Sequence, residues 1–231
     1  LLGKQNMNPL AYGPFASEPG YDFGPTWNPW DLKRLSGGSS GGSGAAAAAG
    51  FCPFSVGSDT GGSIRIPGSW CGVVAMKPTY GRISRYGAQA LAWSLDHPGP
   101  FTRRVEDCAL VMQALCGYDP RDPSSSPSPV PDFSLHLNHD LKGLKIGRPV
   151  DSWQLPVDPE VRLRVETGVA ALEGLGAEVT ELPWPLLAYA ENISNIILLC
   201  EASSAFENLV KTRGGELWPA LRLRLEAGLL I

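Results

Sequence analysis

Two stretches rich in glycine and serine decide how this sequence is interpreted: SGGSSGGSGAAAAAG at residues 36–50 and GSDTGGSIRIPGSWCG at residues 57–72. The first has the composition of a flexible linker. A linker, however, has no reason to be followed at once by elements that can enter a core. Here five alanines favour a helix, a short apolar segment at 54–56 favours a buried strand, and then the second stretch begins. The arrangement indicates that both stretches belong to one folded site.

Phosphate binding is a second use for glycine-rich loops. A Walker loop carries a lysine directly after its last glycine, and neither stretch has one there. A dinucleotide-binding unit has an acidic residue about 20 residues beyond its glycine loop, and this signal is also missing. The sequence therefore favours a site without a nucleotide cofactor.

Nucleophilic catalysis is the third interpretation, and the segment 60–63 (TGGS) favours it. Two glycines before a serine allow positive φ angles and let several backbone N–H groups point to one side. Such donors suit the oxyanion that forms when a carbonyl is attacked, and the loss of one typically costs about 2.7–4 kcal/mol of transition-state stabilisation. Ser63 at the end of this segment is placed to attack, and a hydroxyl nucleophile needs a base.

The three histidines are weak candidates for that base. His97 lies in the turn-like segment SLDHPGP and is expected to be structural, whereas His136 and His139 stand beside a stretch rich in proline and serine and are expected to be solvated. No Ser-His-Asp triad is recognisable from the order of residues along the chain.

Composition limits the class of protein. The 231 residues are 43% hydrophobic, enough for a real core, and the formal net charge of −4 gives no surplus for binding a nucleic-acid backbone. The N-terminus has no signal-peptide pattern, and we expect no membrane span. Five cysteines without a CxxC pair argue against disulfides and a zinc site. We expect a cytoplasmic protein without metal or other cofactor, and the ends of the chain suggest a fragment.

Periodicity predicts an α/β fold. Residues 1–35 are expected to pack as ordered loop, and apolar spacing predicts a helix within 102–116. Residues 119–140 form a predicted surface connector. Beyond it, strand 144–150, a helix from Asp158 to Gly176 and strand 177–182 form a predicted βαβ unit, which is normally parallel. A long helix is expected over 186–210.

The two glycine–serine stretches resemble the amidase signature family. The similarity also includes NPWDLKR at 28–34, SLDHPGPFTRRVEDCALVMQALCGYDPRD at 94–122 and LKGLKIG at 141–147, so that it covers most of the chain. The resemblance implies a mixed β-sheet core covered by helices, with residues 1–231 forming part of one amidase signature domain. It also implies an enzyme that hydrolyses amides of small molecules with a Ser–cis-Ser–Lys triad.

The roles implied by this resemblance fall on both stretches. Ser63 corresponds to the acyl-forming nucleophile, and Ser39 to the bridging serine, which follows a cis peptide bond in the family. The remaining residues with implied roles are the backbone amides of Thr60, Gly61, Gly62 and Ser63 in the oxyanion hole, and the loop-ordering partners Ser40, Asp59 and Arg65. An ordinary surface ion pair is the alternative for Asp59 and Arg65.

The lysine of the triad has no counterpart in this sequence. Lys4, Lys33 and Lys77 match other positions of the family pattern, and the catalytic lysine is expected upstream of residue 1. Besides a free-standing amidase, which the segment ALAWSLDHPGP favours, two alternatives stay open. One is the glutamine-hydrolysing component of a tRNA-dependent amidotransferase, which requires a partner protein. The other is a catalytically incomplete remnant.

Overall fold

A computed structural model describes residues 2–12, 23–135, 137–138, 140–150 and 156–231. They form two compact units, one of residues 1–137 with 195–231 and one of residues 138–194. The strands are β1 (Trp27–Asn28), β2 (Asp31–Leu35), β3 (Phe54–Asp59), β4 (Val74–Ala75), β5 (His97–Thr102), β6 (Lys145–Pro149) and β7 (Glu178–Leu182). The helices are α1 (Gly41–Ala48), α2 (Arg65–Cys71), α3 (Val105–Leu115), α4 (Pro159–Gly174), α5 (Leu187–Ala205), α6 (Glu207–Arg213) and α7 (Pro219–Gly228). The α/β class is confirmed.

A three-stranded antiparallel sheet in the order β3-β5-β4 supports the site in the first unit. The strand expected at 54–56 is present and continues to Asp59, which pairs with His97 of β5. Phe101 of β5 is fully buried and packs with Ala47 of α1 and Ile64. This apolar cluster joins the alanine helix, the sheet and the segment after Ser63 into one body.

The first glycine–serine stretch is part of the interior, since residues 36–44 are all buried. Several of its glycines are required by close approaches between backbone segments. A Cβ atom added to Gly42 would lie 2.4 Å from the carbonyl oxygen of Asn6, and one added to Gly57 in the second stretch would lie 2.6 Å from the Ser40 hydroxyl. Glycine is used here for space, and the linker interpretation is excluded.

A second apolar cluster lies beneath the C-terminal helices. Its buried members are Leu91, Ala202, Phe206, Leu221 and Leu225. The single long helix predicted over 186–210 is wrong, because α5 ends at Ala205 and α6 begins at Glu207, with a 58° bend between the two. Phe206 leaves helical geometry (φ −108°, ψ 12°) and its side chain is buried in this cluster, which accounts for the break.

The second unit confirms the predicted βαβ arrangement, with β6 and β7 in parallel register from Lys145↔Glu178 to Pro149↔Leu182. The side chain of Asp158 caps α4 by accepting a hydrogen bond from the amide of Glu160. Val161 and Val165, on the predicted apolar face of α4, are 53% and 46% exposed. Two strands about 4.8 Å apart are too narrow to cover a helix about 10 Å wide.

The connector at 119–140 is anchored at its beginning. Asp122 is buried and accepts hydrogen bonds from the amides of Arg85 and Ser124. His136 and His139 lie outside the described residues. All five cysteines are free thiols. Within the described ranges no single helix has the length and apolar character needed to cross a membrane, although α5 taken together with residues 207–216 passes that test as a bent pair.

The packing of Gly42 yields a stability prediction. Gly42→Ala should lower the free energy of unfolding by about 1–3 kcal/mol, the usual cost of overpacking, because the added methyl group meets backbone atoms of Asn6. Gly168→Ala is the matched control: it also lies within a helix, a Cβ there meets nothing within 4 Å, and helix propensity should stabilise it by about 1 kcal/mol. Urea denaturation of both variants measures the difference, and equal changes would contradict the packing argument.

Candidate active site

The carboxylate of Asp59 organises the second glycine–serine stretch. Asp59 is fully buried and accepts hydrogen bonds from the amides of Gly62 (2.8 Å), Ile64 (3.1 Å) and Arg65 (3.2 Å). The Arg65 guanidinium adds two more, from Nε at 3.0 Å and Nη2 at 2.9 Å. Burial raises the pKa of Asp59, but these hydrogen bonds and the positive charge of Arg65 outweigh it and hold the pKa below its ordinary value. The Asp59–Arg65 pair thus fixes a loop.

Ser40 fastens the first stretch to the second. Its hydroxyl donates to the carbonyl of Ser58 and accepts from the amide of Ser58, both at 3.1 Å. Its own amide donates to the carbonyl of Ser63 at 3.2 Å. Three hydrogen bonds therefore hold residue 40 against β3 and against the loop that carries Ser63.

Ser39 directly precedes this junction. The Gly38–Ser39 peptide bond is cis, and the carbonyl of Ser39 accepts a hydrogen bond from the Asn8 amide at 3.0 Å. The Ser39 side chain is 4% exposed, and its hydroxyl has no hydrogen-bond partner among the residues that the structure describes. A buried hydroxyl without a partner is uncommon in a folded protein and marks a place where a polar group is expected to bind.

Ser39 and Ser63 line the same cavity, of about 450 Å³. Thr60 and Gly61 line it as well, so that four of the residues proposed from the sequence meet there. The other lining residues come from distant parts of the first unit: Asn8, Ala11, Tyr12, Gly38, Leu91, Asn195, Leu198, Leu199 and Arg224. We call this space the serine cavity.

The backbone amides expected in the oxyanion hole divide into two groups. The amide of Gly62 donates to Asp59, so in this structure it fixes the loop and does not point to the serine cavity. The amides of Thr60, Gly61 and Ser63 donate to no group among the described residues. Gly62 has a φ of +126°, a conformation that side-chain-bearing residues rarely adopt. The turn that separates these donors therefore requires glycine at position 62.

Several residues of the serine cavity were missed by sequence reasoning. Tyr12, Asn195 and Arg224 are brought there by tertiary packing, and their neighbours in sequence give no local signal. Arg224 donates to the carbonyl of Tyr12 at 2.9 Å, and its guanidinium lies 5.5 Å from the ring centroid of Tyr12. Asp96 was also missed, although it stands in the quoted segment SLDHPGP; it accepts a hydrogen bond from the Thr60 hydroxyl at 2.6 Å.

Among the described residues, none of the bases considered from the sequence lines this cavity. No lysine of the described chain lines it. His97 lies in β5, where its ring packs edge-on against Tyr80 with centroids 5.4 Å apart. Burial lowers the pKa of His97. Within the described ranges, no group of three or more His, Cys, Asp or Glu side chains is placed to hold a metal ion.

Comparison with known proteins identifies the relatives of this site. The Amidase family model matches residues 1–224. The glutamyl-tRNA(Gln) amidotransferase of Moorella thermoacetica has a subunit, designated A, that is 52% identical to this chain over 204 residues. These residues are 88% of this chain and 42% of that protein.

The chain belongs to the amidase signature family.

Solved structures agree with this membership. One belongs to a vestigial protein complex that reveals the evolutionary origins of an s-triazine catabolic enzyme; its TM-score is 0.89 at 38% identity, and the match covers 98% of this chain and 48% of that one. A bacterial aryl acylamidase of the amidase signature family has a TM-score of 0.78 at 29% identity, covering 89% and 44%. The chain therefore spans about half the length of the relatives it matches.

The Asp59 carboxylate gives a pH-dependent prediction. Because its folded pKa lies below the ordinary value of 3.8, it stabilises the fold above about pH 4, and that contribution is lost as pH falls through the folded pKa. Asp59→Asn should lower the free energy of unfolding at pH 7 by about 2 kcal/mol, because Arg65 loses its counter-charge and the donors that face the new NH₂ group lose their acceptor.

The difference in the free energy of unfolding between the wild-type protein and Asp59→Asn isolates the contribution of the Asp59 carboxylate. The contributions of the other titrating groups are the same in both proteins and cancel. Urea denaturation of both proteins from pH 7 down to pH 3 should show a difference in the free energy of unfolding that is constant above pH 4 and shrinks below pH 4. A difference that grows on acidification would contradict the assigned direction of the pKa.

Proposed function

We propose that this chain contributes the nucleophile and its proton relay to an enzyme that hydrolyses a carboxamide through a serine acyl-enzyme. The observation that carries the proposal is the meeting of Ser63, Ser39 and free backbone amides at one cavity. Ser63 is partly exposed there and accessible to substrate, whereas Ser39 is buried. A buried hydroxyl and an accessible one in the wall of the same cavity suit a relay, in which only the accessible group attacks the carbonyl carbon.

The chemistry follows in two halves. Ser63 Oγ attacks the amide carbon while its proton passes to Ser39, and the resulting oxyanion accepts hydrogen bonds from the amides of Thr60, Gly61 and Ser63. The C–N bond breaks as Ser39 returns a proton to the leaving nitrogen, so that ammonia or an amine departs. Water then attacks the ester on Ser63, loses a proton to the same relay, and releases the acid.

Ser39 can pass protons in both directions only if a base stands behind it. In line with the resemblance, we propose a neutral lysine amine as this base, lying outside residues 1–231. Two observations support the proposal: the Ser39 hydroxyl is buried without a partner among the described residues, and none of Lys4, Lys33 and Lys77 lines the serine cavity. The proposed relay and the proposed nucleophile are held in position by Ser40, Asp59 and Arg65.

Substitution of the nucleophile tests this function. In the full-length protein, Ser63→Ala should reduce amide hydrolysis by at least about 1,000-fold, the scale expected when a nucleophile is removed. Ser69→Ala is the matched control because Ser69 is exposed on α2 and its hydroxyl forms no hydrogen bond among the described residues. Amidase activity that survives in Ser63→Ala, at a level close to that of Ser69→Ala, would contradict the proposal.

A second candidate is favoured by the relatives. The glutamyl-tRNA(Gln) amidotransferase relative, at 52% identity, suggests that the amide is glutamine and that the ammonia is transferred with the help of partner proteins. The free-standing amidase, which we favour from the segment ALAWSLDHPGP, instead acts alone on a small amide; the cytoplasmic location expected from the sequence fits either.

Purification of the full-length protein from its own cells separates the two candidates. A stable partner that stimulates glutamine hydrolysis at least about 10-fold would establish the amidotransferase component. Hydrolysis of simple amides by the isolated polypeptide, unchanged by the cell extract, would establish the free-standing enzyme.

A further inference from the structure

We infer that Asp96 is a positioning residue for the reaction: it fixes Thr60 and thereby sets the direction of the amides that face the serine cavity. The inference rests on the proposed function, since it assigns a purpose to a bond that anchors the proposed oxyanion loop. The hydrogen bonds of Asp96 in the described part of the chain go to Thr60, Leu91 and Ala92, and none goes to Ser63 or Ser39.

The carboxylate of Asp96 is the meeting point of two segments. It accepts the hydroxyl of Thr60 at 2.6 Å, the amide of Leu91 at 2.9 Å and the amide of Ala92 at 3.1 Å. Short hydrogen bonds to a charged acceptor are among the stronger ones in proteins. Leu91 belongs to the buried apolar cluster with Phe206, Leu221 and Leu225. Asp96 thus ties Thr60 to the core.

The loop formed by residues 60–65 needs an anchor at its first two residues. The buried Asp59 carboxylate accepts the amides of Gly62, Ile64 and Arg65, all in the second part of the loop. The amides of Thr60 and Gly61 lie before them and are unbound among the described residues. Asp59 therefore cannot fix the first two donors, and the side-chain bond from Thr60 to Asp96 is the contact that does.

Thr60 is buried and stands in a wall between two cavities. A second cavity of about 260 Å³ lies beside the serine cavity, and Ala11, Thr60 and Leu91 line both. A threonine in such a wall keeps one orientation because its hydroxyl is bonded, and Asp96 supplies that bond.

The consequence is a specific loss of transition-state stabilisation. A displacement of about 1 Å at a reacting group can cost about 100-fold in rate. Without the bond to Asp96, the Thr60 amide should move away from the developing oxyanion while substrate binding stays unchanged. We therefore expect kcat to fall about 10- to 100-fold and KM to stay within about twofold of its wild-type value.

Fluorophosphonate labelling of the full-length protein tests this directly. In the labelling step the Ser63 oxygen forms a bond to phosphorus, the P–F bond breaks and fluoride leaves, and the serine proton passes to Ser39. The phosphoryl oxygen takes the place of the oxyanion, so the labelling rate reports on the donors. We expect Thr60→Val and Asp96→Asn each to slow labelling about 10- to 100-fold, with Thr60→Ser, which keeps the hydroxyl, slowed less than Thr60→Val.

The double variant and a structural control decide between positioning and simple destabilisation. Thr60→Val combined with Asp96→Asn should be no slower than the slower single variant, because both act on the same Thr60–Asp96 hydrogen bond. Asp122→Asn is the control. Asp122 is buried, whereas Asp96 is half-buried, and like Asp96 it accepts backbone amides. The labelling rate of Asp122→Asn should change less than twofold at a comparable loss of thermal stability.

Three outcomes would overturn the inference. Labelling of Asp96→Asn or Thr60→Val at the wild-type rate, or independent effects that multiply in the double variant, would each remove the assigned role while leaving the proposed function intact. A wild-type protein that carries no label at Ser63 would overturn the proposed function and the inference together.

Discussion

The buried carboxylate of Asp59 is the constraint on which the rest of the site depends. An ionised carboxylate inside a protein must have its lone pairs occupied, and here three amides and the Arg65 guanidinium do so. Satisfying that charge forces the chain after β3 into a tight loop, and the loop carries Ser63 to the serine cavity. The position of the proposed nucleophile therefore follows from the electrostatic requirement of a neighbouring buried charge.

The first glycine–serine stretch meets this loop through close backbone approach. Ser40 bonds to Ser58 on one side and to Ser63 on the other, and the absence of side chains at Gly42 and Gly57 lets the segments come together. Ser39 is then held between the cis peptide bond and Ser40 with its hydroxyl in the interior. A sequence with the composition of a linker is buried here because its small residues allow close approach of the backbone segments.

The sequence predicts well the features that depend on neighbouring residues, and it predicts poorly the features that depend on tertiary packing. Alanines at 45–49, the capping Asp158 and the apolar alternation around 177–182 act over a few residues, and the helices and strands expected there are present. The break at Phe206 was not predictable, since it depends on the apolar cluster that its ring enters. For the same reason Asn195 and Arg224 at the serine cavity have no signal in the sequence, because only the folded chain brings them near Ser63. The Gly62 amide, which was expected in the oxyanion hole, instead bonds to Asp59, and this too depends on where the Asp59 carboxylate lies.

The central claim is that the Ser63 hydroxyl becomes esterified by the acyl part of the substrate. The most direct measurement is acid quenching of the full-length protein during turnover of a slow amide, followed by peptide mass spectrometry. The account predicts that the acyl mass appears on the peptide containing Ser63 and disappears when hydroxylamine is added before the quench. An acyl group found on another residue, or a covalent intermediate that persists in Ser63→Ala, would contradict it.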